Sequence, residues 1–180
     1  GECKHLQDIN GKPLLCRTLK MLDGYDVTVV THRPELKTVS YNHFDPENRE
    51  KLLNTVLSTK DLWDRNRVTF LLGDVVWTKA ALQKALRSEK SLEFFASVDE
   101  TFAITFRETM FDRVAEAAKK ILGDNREGTA WELYRTLADI PLDKEWTDGW
   151  VHHRISDRTD DIDYPEDYKA KVASGYFEGM

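Results

Sequence analysis

Val68-Thr69-Phe70-Leu71-Leu72 runs without a charge into the pair Gly73-Asp74, and no other stretch limits the architecture of this chain so sharply. A continuous apolar or β-branched run of this length, closed by a turn signal, predicts a strand buried on both faces, as in a parallel sheet. Gly73 lets the backbone turn without a Cβ clash. Asp74 then emerges at the carboxyl end of the strand, the edge at which open α/β sheets bind ligands. Gly-Asp is also an ordinary turn or helix cap, so other parts of the chain have to decide.

The flanking segments alternate between helix and strand. Asn10-Gly11 is a turn, and Pro13 suits the first position of a helix burying Leu15, Leu19 and Leu22. Asp23-Gly24 ends that helix, and residues 27–31 follow as a strand. Residues 32–50 are polar, with Pro34, Asn42, Asp45 and Pro46, and are expected to form a surface loop. A helix over 50–63 buries Leu53, Val56 and Leu57. Thr78 is the expected N-cap of a helix carrying Leu82, Ala85 and Leu86 on one face. Residues 92–98 and 102–106 form either a hairpin or a central strand with an antiparallel neighbour. Phe111, Val114, Ala115, Ala118, Ile121 and Leu122 trace an amphipathic helix closed by Gly123-Asp124-Asn125. Trp131, Tyr134, Leu137 and Ala138 share a face of the next helix, stopped by Pro141. Residues 151–155 read as a strand, an acidic loop follows over 157–163, and Pro165 opens a terminal helix whose dipole Glu166 and Asp167 complement. This rhythm is that of an α/β sheet with crossovers. Because the first element is a helix, a strand is expected ahead of it.

At 180 residues the chain is long enough for one domain with a single sizeable core. Its 26 basic and 32 acidic residues leave a net charge of −6, which excludes the basic surface that nucleic acid or an anionic membrane requires. Cys3 and Cys16 make neither a disulfide scaffold nor a metal site, and reduced thiols point to the cytoplasm. No apolar run approaches the ~18 residues of a membrane span. The sequence contains no Gly-x-Ser-x-Gly elbow, zinc spacing or Walker-type loop. His152 and His153 would face opposite sides of a strand, so together they cannot chelate one metal and are read as packing or surface residues.

Asp161 and Asp163 flank Ile162, so on an extended segment both carboxylates face one way while Ile162 enters the core. Such a pair repels itself unless a cation intervenes. Hard oxygen donors of this kind suit Mg²⁺, which binds through one or two carboxylates together with substrate phosphates. A solvated loop favouring the following helix is the competing account.

Three stretches together carry a resemblance. Lys4-His5-Leu6-Gln7-Asp8-Ile9-Asn10-Gly11-Lys12-Pro13-Leu14-Leu15-Cys16-Arg17-Thr18-Leu19 resembles the "K-x-L-x-x-I-x-G-K-P-L-L-x-R-T-L" stretch of the nucleotidyltransferase superfamily, whose members include sugar-phosphate, molybdenum-cofactor and methylerythritol nucleotidyltransferases. Leu71-Leu72-Gly73-Asp74-Val75 is similar to the family's metal-binding "L-x-G-D" strand end, and Asp161-Ile162-Asp163-Tyr164-Pro165-Glu166-Asp167 to its closing "D-I-D-T-P-E-D" motif. The three occur in the family's order.

The resemblance implies a three-layer, Rossmann-like α/β fold of the glycosyltransferase-A type with a mostly parallel sheet, here a single domain over 1–180. It implies that Lys4 contacts nucleotide phosphate and that Asp74 and Asp161 hold Mg²⁺, with Asp163 the second choice. It further implies that Gly73 lies against the nucleotide and that Thr55, placed where the family carries Ser-Val, contacts the base. Glu100, Trp150 and the stretch 124–150 are candidates to shape the acceptor pocket. The family's first strand and Gly-x-Gly-x-Arg loop have no counterpart ahead of Lys4, and Tyr164 replaces the usual Thr, removing a side-chain N-cap. The implied reaction is attack by an acceptor phosphate oxygen on the α-phosphorus of a nucleoside triphosphate, releasing pyrophosphate. The implied acceptor is a phosphorylated small molecule such as a sugar or polyol phosphate. An acceptor ionised at neutral pH needs no general base, so Mg²⁺ and Lys4 would act by charge neutralisation and positioning. Two alternatives remain open: a D-x-D glycosyltransferase of the same fold, and a nucleotide-binding module without catalysis. A homodimer is also left open.

Overall fold

The computed structural model describes residues 3–37, 41–63, 66–143, 149 and 151–179. Its first regular helix, α1 (Leu14–Met21), begins one residue later than expected, with Pro13 as its N-cap. Leu14, Thr18 and Leu19 are its buried residues, whereas Leu15 is only half-buried. β1 (Thr28–Val30) follows and pairs in parallel with β2 (Asn42–Phe44). The expectation of a plain loop over 32–50 is therefore corrected: that span holds a short 3-10 turn at Pro34–Leu36 as well as β2. Asn-His-Phe is too short and polar to announce a strand. Its partner, not its own sequence, creates it.

α2 (Leu52–Ser58) buries Leu53 and Val56 and runs into a 3-10 turn at Lys60–Leu62. β3 (Arg67–Leu71) is half-buried along its whole length and pairs antiparallel with β6, below, at one end of a four-stranded order. The prediction of a strand buried on both faces, as in a parallel sheet, is corrected here: its residues are only half-buried and its neighbour is antiparallel, because uninterrupted apolarity does not by itself specify a central position. β4 (Val75–Val76) comes next, then α3 (Lys79–Leu86), whose Thr78 cap accepts from the Ala81 N–H at 3.1 Å as expected. β5 (Leu92–Ala96) and β6 (Thr101–Arg107) form an antiparallel hairpin.

α4 (Phe111–Gly123) takes in Gly123 as its last residue, and the left-handed residue beyond it is Asn125, φ 56°. α5 (Ala130–Leu137) opens on a complete capping box between Thr129 and Glu132. It ends well before Pro141, with Asp139 in the left-handed region at φ 58°. Its buried face carries Leu133, Tyr134 and Leu137, while Trp131 is half-buried beneath the Arg135 guanidinium, 4.2 Å from the ring centre. β7 (His152–Arg154) pairs in parallel with β5, β8 (Asp160–Asp161) pairs antiparallel with β4, and α6 (Pro165–Ala173) closes the order.

The sheet runs β3-β6-β5-β7, with β3, β5 and β7 pointing one way and β6 the other. Phe94, Ile104 and Phe106 pack on one side among Val114, Ala118 and Leu133 of α4 and α5. Phe95 and Ala103 pack on the other among Leu19 and Leu22 of the α1 end and Leu82 and Ala85 of α3. Helix, sheet and helix thus make three layers, as the expected fold class requires. His152 rests 5.6 Å from the Tyr134 ring and His153 5.1 Å from that of Phe95, one on each face of the sheet. No helix among the described residues is long and apolar enough to cross a membrane.

Candidate active site

The site grows from the carboxyl end of β3. After Leu72, whose N–H donates to the Phe102 carbonyl at 3.0 Å, Gly73 and Asp74 leave the sheet and the chain re-enters extended structure as β4. β4 holds β8 in a register that sets Val75 opposite Asp161. One residue on, the Ile162 N–H donates to the Asp74 carbonyl at 3.0 Å. Acids nearly ninety residues apart in sequence are thereby joined through the main chain.

A small apolar knot fixes the arrangement. Ile9, Leu14, Val76, Ile162 and Phe177 are buried together, so the first and last of the stretches that carry the resemblance contribute anchors, and Val76 adds one directly after the middle stretch. Ile162 is fully buried, and the carboxylates on either side of it are brought within 4.8 Å of one another and of Glu100. The alternation predicted for Asp161-Ile162-Asp163 is what the structure contains.

Lys4 sits on a 3-10 turn (Lys4–Leu6), closed by the Leu6 N–H to the Cys3 carbonyl at 2.9 Å. Its Nζ lies 2.5 Å from Asp74 Oδ2 and 3.9 Å from Asp163 Oδ1. The neighbouring His5 ring covers Gly73: a Cβ there would fall 2.7 Å from Cδ2 and 2.8 Å from Nε2. Glycine at 73 thus serves a close approach and not a left-handed backbone: any side chain there would oblige the His5 ring to move. Burial pushes the His5 imidazole below its ordinary range, and the Asp74 charge pulls it partly back.

The electrostatics are those of surplus negative charge. Glu100 lies on the turn between β5 and β6, where its N–H donates to Ser97 Oγ at 3.0 Å. Desolvation, then the charges of Asp161 and Asp163, push its carboxyl up to about 7. Desolvation, then Asp163 and Asp160, push Asp161 up to about 6. Asp160 is neutralised by Lys171, whose Nζ lies 3.0 Å from it, 2.8 Å from Asp167 and 2.6 Å from the Asp161 carbonyl oxygen. Lys171 therefore offsets the acid beside the trio more than the trio itself. A set of hard oxygen donors that repel one another and whose ligand atoms lie within 4.8 Å of each other suits a hard divalent cation.

Of the residues singled out from sequence, Lys4, Gly73, Asp74, Glu100, Asp161 and Asp163 gather at this edge. Asp163 belongs both to the Lys4–Asp74 group and to the Glu100–Asp161 group. Thr55 lies half-buried on α2, and among the described residues no hydrogen bond or ion pair links it to these acids. Trp150 lies outside the described residues. His5 and Lys171 were not anticipated. The Asp167–Lys171 spacing of four on α6 was a readable signal, whereas nothing in the sequence marks His5. Tyr164, as expected, makes no side-chain cap for α6.

No protein-family model matches the sequence, and no curated protein matches it. Solved structures do match the fold. A protein assigned as a glucose-1-phosphate thymidylyltransferase of Bacillus anthracis is similar at TM-score 0.65 and 13% identity, covering 98% of this chain and 88% of that one. A CTP:phosphocholine cytidylyltransferase of Streptococcus pneumoniae gives TM-score 0.59 at 10% identity, over 95% and 89% of the two chains. The inositol-1-phosphate CTP transferase of T. maritima gives 0.57 at 12%, over 98% and 88%. The fold of this chain is the nucleotidyltransferase fold.

Proposed function

We propose that this chain is a Mg²⁺-dependent nucleotidyltransferase that transfers a nucleoside monophosphate from a nucleoside triphosphate to a phosphorylated small-molecule acceptor. The observation that carries the reading is the convergence of Asp74 and Asp163 on one ammonium, Lys4, at the carboxyl end of β3. The likeness to transferases whose names specify glucose 1-phosphate, phosphocholine and inositol 1-phosphate supports the acceptor class.

In this mechanism Asp74 and Asp163, with Asp161 beside them, would hold the ion. Asp163 is preferred over Asp161 because it alone is shared by both groups of charges. Bound Mg²⁺ supplies charge neutralisation at the reacting phosphates. Lys4 contributes a mobile positive charge for the triphosphate, and Gly73 leaves room for the His5-bearing turn that carries it. Glu100, whose carboxylate lies within 4.8 Å of those of Asp161 and Asp163, is assigned to the acceptor. Thr55 is assigned to the base by the resemblance. The acceptor phosphate is ionised at neutral pH, so the attacking oxygen needs no proton removed, and the chain's task is orientation and electrostatic stabilisation. The free thiols of Cys3 and Cys16 fit a reducing cytoplasmic setting.

The test is incubation with each nucleoside triphosphate and a panel of sugar, polyol and choline phosphates, with Mg²⁺, scored for pyrophosphate. Pyrophosphate formed only when an acceptor is present supports the reading. Release of free nucleoside diphosphate from a nucleotide sugar would point instead to a glycosyltransferase, and nucleotide binding without product to a non-catalytic module.

A further inference from the structure

Two lysines serve this cluster in different ways. Lys171 has its side chain only 15% exposed and is tied by two carboxylates and a carbonyl at 3.0 Å or less. It is a fixed part of the scaffold. Lys4 is 35% exposed, has one close partner in Asp74, and stands 3.9 Å from Asp163. It is carried on a single 3-10 turn, and a four-carbon stem lets its ammonium move without moving the backbone.

We propose that Lys4 is a resident counter-ion. Without nucleotide its ammonium occupies the cation position between Asp74 and Asp163, and nucleotide phosphates draw it away so that nucleotide and divalent ion enter together. This rests on the reading of Asp74 and Asp163 as ligands of the ion. A divalent ion arriving alone meets a like charge a few ångströms off and must compete for the carboxylate that Lys4 already holds. A triphosphate changes that balance, because it offers the ammonium a stronger partner and brings anionic oxygens to the ion. Coupled entry of this kind keeps an acid-rich edge from retaining free metal between turnovers.

The experiment measures Mn²⁺ binding to the full chain without nucleotide, from the free-ion electron paramagnetic resonance signal. Lys4→Met is expected to bind Mn²⁺ about tenfold more tightly than wild type, since one opposing charge is gone. Lys4→Gln runs alongside in case the Met variant fails to fold, and Lys4→Arg, which keeps the charge, is expected to restore the weak wild-type affinity. Equal or weaker Mn²⁺ binding in both neutral variants overturns the proposal, as does the absence of Mn²⁺ binding in every variant. Pyrophosphate release is assayed separately. Tighter Mn²⁺ binding in the neutral variants with no turnover in wild type keeps the counter-ion and removes the enzyme. Turnover with unchanged Mn²⁺ affinity removes the counter-ion alone.

Discussion

The α4/α5 side of the sheet and the knot beneath the acids are both apolar, yet they are built on different scales. On the α4/α5 side, Phe94, Phe106, Val114, Leu133 and Tyr134 belong to a large cluster, with Trp63 and Phe111 packed against its margin. Aromatic pairs such as Trp63–Phe106, 5.1 Å between centres, interlock within it. The knot of Ile9, Leu14, Val76, Ile162 and Phe177 is small and is assembled from the first residue of α1, loops, a two-residue strand and the chain beyond α6. Removing a side chain from the large cluster costs folding free energy that the whole domain feels. Loss of one from the knot should loosen the acids first, because Val76 and Ile162 sit on or beside the short β4–β8 pairing that joins them.

The sharpest way to separate chemistry from scaffold is Asp74→Asn. It removes a charge and keeps the shape, so turnover should fall by about three orders of magnitude while the thermal midpoint stays near that of wild type. Pyrophosphate release near wild-type level in this variant would refute the site. Leu133→Ala should do the opposite. It should cost about 2–5 kcal/mol of stability in denaturant titration, with the specific activity of the folded fraction unchanged. Ile162→Ala breaks the knot, and about a 10- to 100-fold loss of activity is expected from misplaced carboxylates, with a smaller stability loss than Leu133→Ala. Equal activity in the Ile162 and Leu133 variants would erase the distinction between the two regions.

Gly73→Ala should act more mildly. The added Cβ displaces the His5 ring and the turn that carries Lys4, so the KM for the triphosphate is expected to rise about tenfold or less, with a smaller change in stability. The smallest effect belongs to Glu100→Gln, read as a pH dependence. Glu100 ionises near its ordinary 4.5 when unfolded and at about 7 when folded. The folded state therefore holds the proton longer, and wild type loses stability as pH rises from about 4.5 through 7. Without metal, Glu100→Gln should melt slightly higher than wild type at pH 8, and the gap should shrink towards pH 5. A gap that widens on acidification would reverse the assigned sign.

What the sequence disclosed follows from where each signal resides. The Gly73-Asp74 break and the Asp161-Ile162-Asp163 alternation are local, one a turn and the other a period of two, so both were readable. Thr78 and Pro165 were readable because caps are chosen by backbone geometry within a few residues. β2 was not, since Asn42-His43-Phe44 becomes a strand only beside Thr28-Val29-Val30. Nor was the position of β3 at one end of the sheet order, because an apolar run does not reveal who its neighbours are. The β4–β8 pair, and with it the meeting of the acids, is a tertiary event that two-residue strands cannot advertise. Glu100 stood out only as a candidate for the acceptor pocket, and its high pKa depends on burial and on companions some sixty positions away.

The bond from the Ile162 amide to the Asp74 carbonyl uses no side-chain atom. The frame that sets the spacing of these acids is thus chemically independent of the groups that would grip an ion. Exchanging Asp for Glu or Asn at either position alters hardness, reach or charge while leaving the mounting in place. A chain built this way can change its preferred metal by single substitutions, without first having to refold the edge on which the metal would rest.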